Sequence, residues 1–217
     1  MKAFLRGLYD MPHFGKRMIL CFVAVVFMGF GVSWLSFIGW GTDPCSVMNF
    51  AISEKIGWSF GNWQAFLNVL LFLIVIWRDK KKIGFGTLFN MFVVGYACDF
   101  MTWLRNRLWP DLTLDLIWVK ILVMLVVLAI FVFAAAVYMS VELGTAPYDA
   151  LPYIISDLLP KVNFRWVRIA WDVTMTIIGI CIGGIFSGKF GVVTAIMAFA
   201  LGPVIGLVGE KIKPFIE

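Results

Sequence analysis

Four aspartates in this sequence sit where a carboxylate is expensive. Two of them belong to matched motifs, Gly41-Thr42-Asp43-Pro44 and Gly144-Thr145-Ala146-Pro147-Tyr148-Asp149. Proline suits the first position of a helix, where the N–H would have no partner. Each motif therefore reads as the start of a helix. Asp43 becomes the N-cap of the first. In the second, Ala146 takes that place and Asp149 falls at the third helical position. Carboxylates there cap and complement the positive end of a helix. The same groups, turned toward a polar cavity, would bind a cation, a proton or an amine, while bare helix ends suit an anion. Thr42, Thr145 and Tyr148 add hydroxyls beside them. Asp172 lies well inside an apolar run, and Asp99 lies near the end of another. A carboxylate within a membrane should face the interior, find a partner and mark function. Arg168, one helical turn before Asp172 on the same face, could be a purely structural partner. The candidate substrate- or ion-binding set is Thr42, Asp43, Asp99, Thr145, Tyr148, Asp149 and Asp172, with Asp172 foremost. Asn68 and Asn90 read as helix–helix hydrogen bonds.

The elements that must hold these residues follow from composition. Of 217 residues, 62% are hydrophobic and 14% are charged, against roughly 25% charged in average globular proteins. That leaves too little charge to cover a soluble domain. It argues against a soluble enzyme, a disulfide scaffold and a disordered tail. A bilayer core of about 30 Å takes roughly 20 apolar residues as a helix. Six runs qualify: Met18–Ile38, Trp63–Trp77, Ile83–Leu104, Leu116–Met139, Val167–Phe186 and Phe190–Val208. Two further apolar stretches, Pro44–Ile56 and Pro147–Leu159, are too short to cross and read as re-entrant or interfacial helices. Residues 1–17 form a basic leader rather than a signal peptide, and residues 3–12 could lie on the membrane surface.

The two halves repeat. The motif at Gly41 returns at Gly144. Gly84-Phe85-Gly86-Thr87 returns as Gly188–Thr194, and Gly95 returns at Gly202. The offset grows from 103 to 107 residues, which an insertion near Leu159–Asn163 explains. With three spans and one short helix each, the halves face opposite ways across the membrane, the inverted-repeat plan of many transporters. The organisation is a leader (1–17), a first membrane repeat (18–104), a connector outside the cytoplasm (105–115), a second repeat (116–209) and a tail (210–217). Lys55, Arg105, Arg107, Lys120 and Lys189 fall on one side, and the other 13 of the 18 basic residues fall on the opposite side. Cytoplasmic loops carry the excess of Lys and Arg, so both termini are expected inside.

Other chemistry finds little footing. Cys21, Cys45, Cys98 and Cys181 form no CxxC pair and read as buried free thiols. His13 alone cannot build a metal site or a hydrolase. No enzyme signature is present, so no catalytic residue and no cofactor are expected. The positive net charge serves orientation, and no nucleic-acid partner is expected. Gly179/Gly183 and Gly202/Gly206 are small-xxx-small pairs, read first as close helix packing and second as a groove.

Gly-Thr-Asp-Pro before a short helix, Ile-Gly-Phe-Gly-Thr opening a span, and Gly-Thr-Ala-Pro-Tyr-Asp-Ala-Leu together resemble the YczE/YitT-like family of bacterial integral membrane proteins. The likeness runs from about Met18 to Val208. The family often has a Trp where this chain has Cys45, and a Gly-Thr where it has Val193-Thr194. The resemblance implies a six-span protein of the bacterial cytoplasmic (inner) membrane and supplies no activity. The residues themselves point to an all-α transporter of a small molecule or ion. It would have lipid as its surroundings, a homodimer as an allowed assembly and Asp172 as a proton-coupling group. The competing reading is a membrane scaffold that binds a partner protein or lipid.

Overall fold

The computed structural model describes residues 12–185 and 187–216. The surface segment expected over residues 3–12 lies outside them, apart from its last residue. Among the described residues eight α-helices follow one another: α1 Phe14–Ile38, α2 Pro44–Ile56, α3 Phe60–Arg78, α4 Phe85–Leu108, α5 Ile117–Ser140, α6 Pro147–Leu158, α7 Phe164–Gly183 and α8 Val192–Ile216. A 3-10 turn, Lys80–Lys82, joins α3 to α4. The described residues contain no strand.

Five helices, α1, α3, α5, α7 and α8, are long and apolar enough to cross a membrane. The third expected span, which became α4, is not among them. Its 24 residues include Asn90, Asp99, Arg105 and Arg107, which dilute its hydropathy. Its buried face carries Thr87, Asn90, Gly95 and Cys98, so the polar groups are turned toward other helices rather than toward lipid.

Capping explains where helices begin. Ser59 accepts a hydrogen bond from the Asn62 N–H at 3.2 Å, starting α3 at Phe60. Asn163 accepts from the Arg165 N–H at 2.9 Å and starts α7 at Phe164. Both helices thus begin three residues before the apolar run does, because the cap rather than hydropathy fixes the first turn. The short helices α2 and α6 have 13 and 12 residues, or about 20 and 18 Å at 1.5 Å per residue.

Two junctions tie the chain's halves together. In the first, the Thr42 N–H donates to the Lys189 carbonyl at 3.0 Å, and the Val193 N–H donates to the Trp40 carbonyl at 3.1 Å. In the second, the Thr145 N–H donates to the Lys82 carbonyl at 2.9 Å, and the Gly86 N–H donates to the Leu143 carbonyl at 2.7 Å. Gly41 and Gly144 sit at φ +106° and +104°. Only glycine holds that conformation readily, and a Cβ there would strike Thr194 Oγ1 or Thr87 Oγ1. Thr87 and Thr194 are fully buried in these junctions.

Packing elsewhere follows the small residues. A Cβ on Gly61 of α3 would lie 2.9 Å from the Gly95 carbonyl carbon of α4, so the two backbones touch. Gly179 and Gly183 of α7 press likewise on Val47 and Ala51 of α2. Helix α1 packs chiefly against α4 and α5. Cys21, Ala24 and Val25 join one core cluster with Val94, Tyr138 and Val141, and Val32 and Leu35 join another with Phe60, Cys98 and Phe131.

Candidate functional site

A cavity of about 570 Å³ is lined by residues of all eight helices. It runs from buried Val32, Asp43 and Gln64 to exposed Arg165, Glu210 and Lys213. That size lies within the range of small-molecule sites, roughly 300–1,000 Å³. Most of the wall is apolar, and its deeper polar groups converge from α2, α3, α4, α6 and α7.

On α2, the Asp43 side chain does two things. Its Oδ1 accepts the Ser46 N–H at 3.0 Å, the cap expected of it. Its Oδ2 is buried without a hydrogen-bond partner. On α6, Ala146 is the N-cap and offers no side-chain bond, and Asp149 occupies the first turn. On α7, Arg168 Nη1 donates to Asp149 Oδ1 at 2.6 Å, and Nε donates to Asp172 Oδ2 at 3.0 Å. The Tyr148 hydroxyl donates to Asp172 Oδ1 at 2.8 Å. One guanidinium thus holds two carboxylates, and a phenol satisfies the second further. The Arg168 guanidinium carbon also sits 5.6 Å from the centre of the Tyr148 ring, within cation–π range. Charge-assisted bonds of this kind are short and strong, and they fix side-chain positions.

To the same wall α3 contributes Gln64 and Asn68, and α4 contributes Asn90. These are neutral donors and acceptors. The formal count on the wall at this depth is three carboxylates against one guanidinium. The guanidinium is already committed, and Asp43 has no ion-pair partner among the described residues.

The expected residues divide accordingly. Asp43, Tyr148, Asp149 and Asp172 line one cavity. Thr42 and Thr145 do not line it and serve the two junctions instead. Asp99 lies apart, where its Oδ2 accepts the Gly61 N–H at 3.0 Å and ties the start of α3 to α4. Arg168 was expected only as a structural partner and is the hub of the network. Gln64 joins the wall without being singled out by the sequence pattern, although Gln64 and Asn68 stand one turn apart in an apolar run just as Arg168 and Asp172 do. The thiols also differ from expectation. Cys21 and Cys98 are buried, Cys181 is exposed, and Cys45 is half-buried on the cavity wall. The two small-residue pairs part ways as well. Gly179 and Gly183 pack tightly, whereas Gly202 and Gly206 have open space at the Cβ position and line the cavity.

Comparison with known proteins places this geometry among relatives. A Bacillus subtilis protein named "Uncharacterized membrane protein YczE" is 27% identical over 172 residues, covering 77% of this chain and 75% of its own length. The B. subtilis protein YyaS is 25% identical over 197 residues, 90% of this chain and 91% of its own. An uncharacterized Haemophilus influenzae protein is 24% identical over 191 residues, 88% of this chain and 82% of its own. No solved structure matches significantly. The relative's printed name and the five apolar helices agree that this is an integral membrane protein. Residues 15–210 match the family described as "Family of unknown function (DUF6198)", and the chain belongs to that family, in keeping with its YczE-like character.

Proposed function

We propose that the protein is a transporter of a small molecule or ion, with its binding site in the cavity between the two short helices. The observation that carries this reading is the Asp149–Arg168–Asp172–Tyr148 network, built partly on a helix apolar enough to cross a membrane and on the wall of a cavity rather than packed away in the core. A scaffold with no transported substrate has no use for a roomy cavity at the ends of α2 and α6. Intramembrane ionisable groups that face such a space mark ion or substrate pathways.

In this reading α4 is the sixth crossing helix. Its 24 residues span about 36 Å, enough for a bilayer core. The repeat becomes α1–α4 and α5–α8, inverted in the plane of the cytoplasmic membrane. The matched junctions at Thr42/Lys189 and Thr145/Lys82 support this pairing, as does the spacing of Gln64/Asn68 against Arg168/Asp172. With the termini in the cytoplasm, the cavity opens inward past Arg165 and Lys213. The far end is shut by the first junction and by the Gly61–Gly95 contact. Alternating access then requires α3 to part from α4 while α8 closes on α7.

The test is uptake into liposomes by purified protein. A proton-coupled carrier gives uptake that responds to an imposed pH gradient, and Asp172→Asn abolishes that response. Uptake by Asp172→Asn with an unchanged response to the gradient would remove Asp172 from coupling.

A further inference from the structure

We propose that the cavity takes an organic cation, a protonated amine on an apolar body, and that Asp43 is its counter-ion. The inference rests on the same cavity as the transport reading and adds the class of ligand. Asp43 is only 8% exposed and lines the cavity, and its Oδ2 has no hydrogen-bond partner among the described residues. A buried carboxylate oxygen left unsatisfied is costly, so a ligand that supplies N–H donors and positive charge there restores what the fold omits.

The other groups narrow the class. Arg168 is poorly placed to serve an anion, because its single positive charge is already shared between the carboxylates of Asp149 and Asp172. The uncapped start of α6 offers N–H groups, yet an anion reaching them would meet Asp149 and Asp43. A bare metal ion needs several oxygen ligands at close range, and the described residues hold no group of three or more His, Cys, Asp or Glu side chains placed to supply them. An amine needs a single carboxylate plus acceptors such as the amide oxygens of Asn68 and Asn90. Its apolar body would lie against Phe131, Tyr138 and the open flank of α8 at Gly202.

Four probes of one shape and different charge test this: 2-phenylethylamine, 3-phenylpropionate, 3-phenylpropanol and L-phenylalanine. Each is titrated calorimetrically against the full chain in lipid nanodiscs. The amine should bind at least about tenfold more tightly than the other three, since a desolvated charge pair is worth a factor of that order or more. Asp43→Asn should weaken the amine at least about tenfold, whereas Asp115→Asn, on an exposed loop, should not change it. Asn remains a good N-cap, so Asp43→Asn keeps the bond to Ser46. The order of the four probes on the unaltered protein is an independent readout. Equal or tighter binding of the acid, the alcohol or the amino acid overturns the proposal. So does amine binding that survives Asp43→Asn, or no amine binding at millimolar concentration. Liposome counterflow separates the two readings. Amine binding without exchange defeats transport and leaves the cation site standing, whereas exchange of 3-phenylpropionate defeats the cation site and leaves transport standing.

Discussion

Removing the Arg168 guanidinium should be among the most damaging single changes in this protein. Arg168 is 23% exposed at its side chain, Asp149 23% and Asp172 5%, so all three are substantially withdrawn from water. Arg168→Met keeps an unbranched apolar stem and deletes the charge. Asp149 then loses its 2.6 Å partner, and Asp172 loses its 3.0 Å one while keeping the Tyr148 hydroxyl. Breaking a buried ion pair by removing one partner costs about 3–5 kcal/mol, mostly because the remaining charge is stranded. For a chain of this size 1 kcal/mol moves the melting temperature by about 2–4 °C, so a drop of roughly 6–20 °C is expected. The triple variant Arg168→Met, Asp149→Asn, Asp172→Asn strands no charge and should recover most of that loss. The assay is thermal unfolding of purified protein in one detergent, followed by tryptophan fluorescence. A loss below about 1 kcal/mol in Arg168→Met would refute the reasoning, as would a triple variant no more stable than the single one.

Two further predictions concern the cavity and its walls. Gly202→Leu meets open space and should fold with little change in melting temperature while it reduces ligand binding, whereas Gly61→Leu drives a side chain into α4 and should destabilise by about 1–3 kcal/mol, as overpacking does; parallel melts and titrations compare them. Cys45, half-buried on the cavity wall, should react with a small water-soluble maleimide far faster than buried Cys98. Bound amine should slow that reaction, and mass spectrometry of single-cysteine variants reads the rates.

Much of this arrangement is legible from sequence, for identifiable reasons. The bounds of α2 are those expected, because Pro44 and Gly57 punctuate both ends. The apolar runs locate the long helices but misjudge their ends. Hydropathy reports contact with lipid, while α3 and α7 begin at caps in polar stretches and α8 continues through Lys211 and Lys213 to Ile216. The amphipathic α4 escapes a hydropathy criterion because its polar face is spent inside the protein. Asp43, Asp149 and Asp172 stand out because acids are conspicuous in apolar surroundings. Gln64 does not, because a neutral amide carries no comparable penalty. Whether Gly202 packs or leaves a gap depends on what lies opposite, and no local pattern encodes that.

The two junctions have a consequence for how the chain must assemble. The loop carrying Thr42 finds its hydrogen-bonding surface at Lys189, 147 residues onward, and the loop carrying Thr145 finds its own at Lys82. Each half therefore finishes the other. A nascent chain stopped at the 109–116 connector holds α1–α4 with two raw docking edges, and neither edge is covered until α5–α8 arrive. The ribosome releases an early segment that must wait, and the last helix to emerge closes the first turn to have been made.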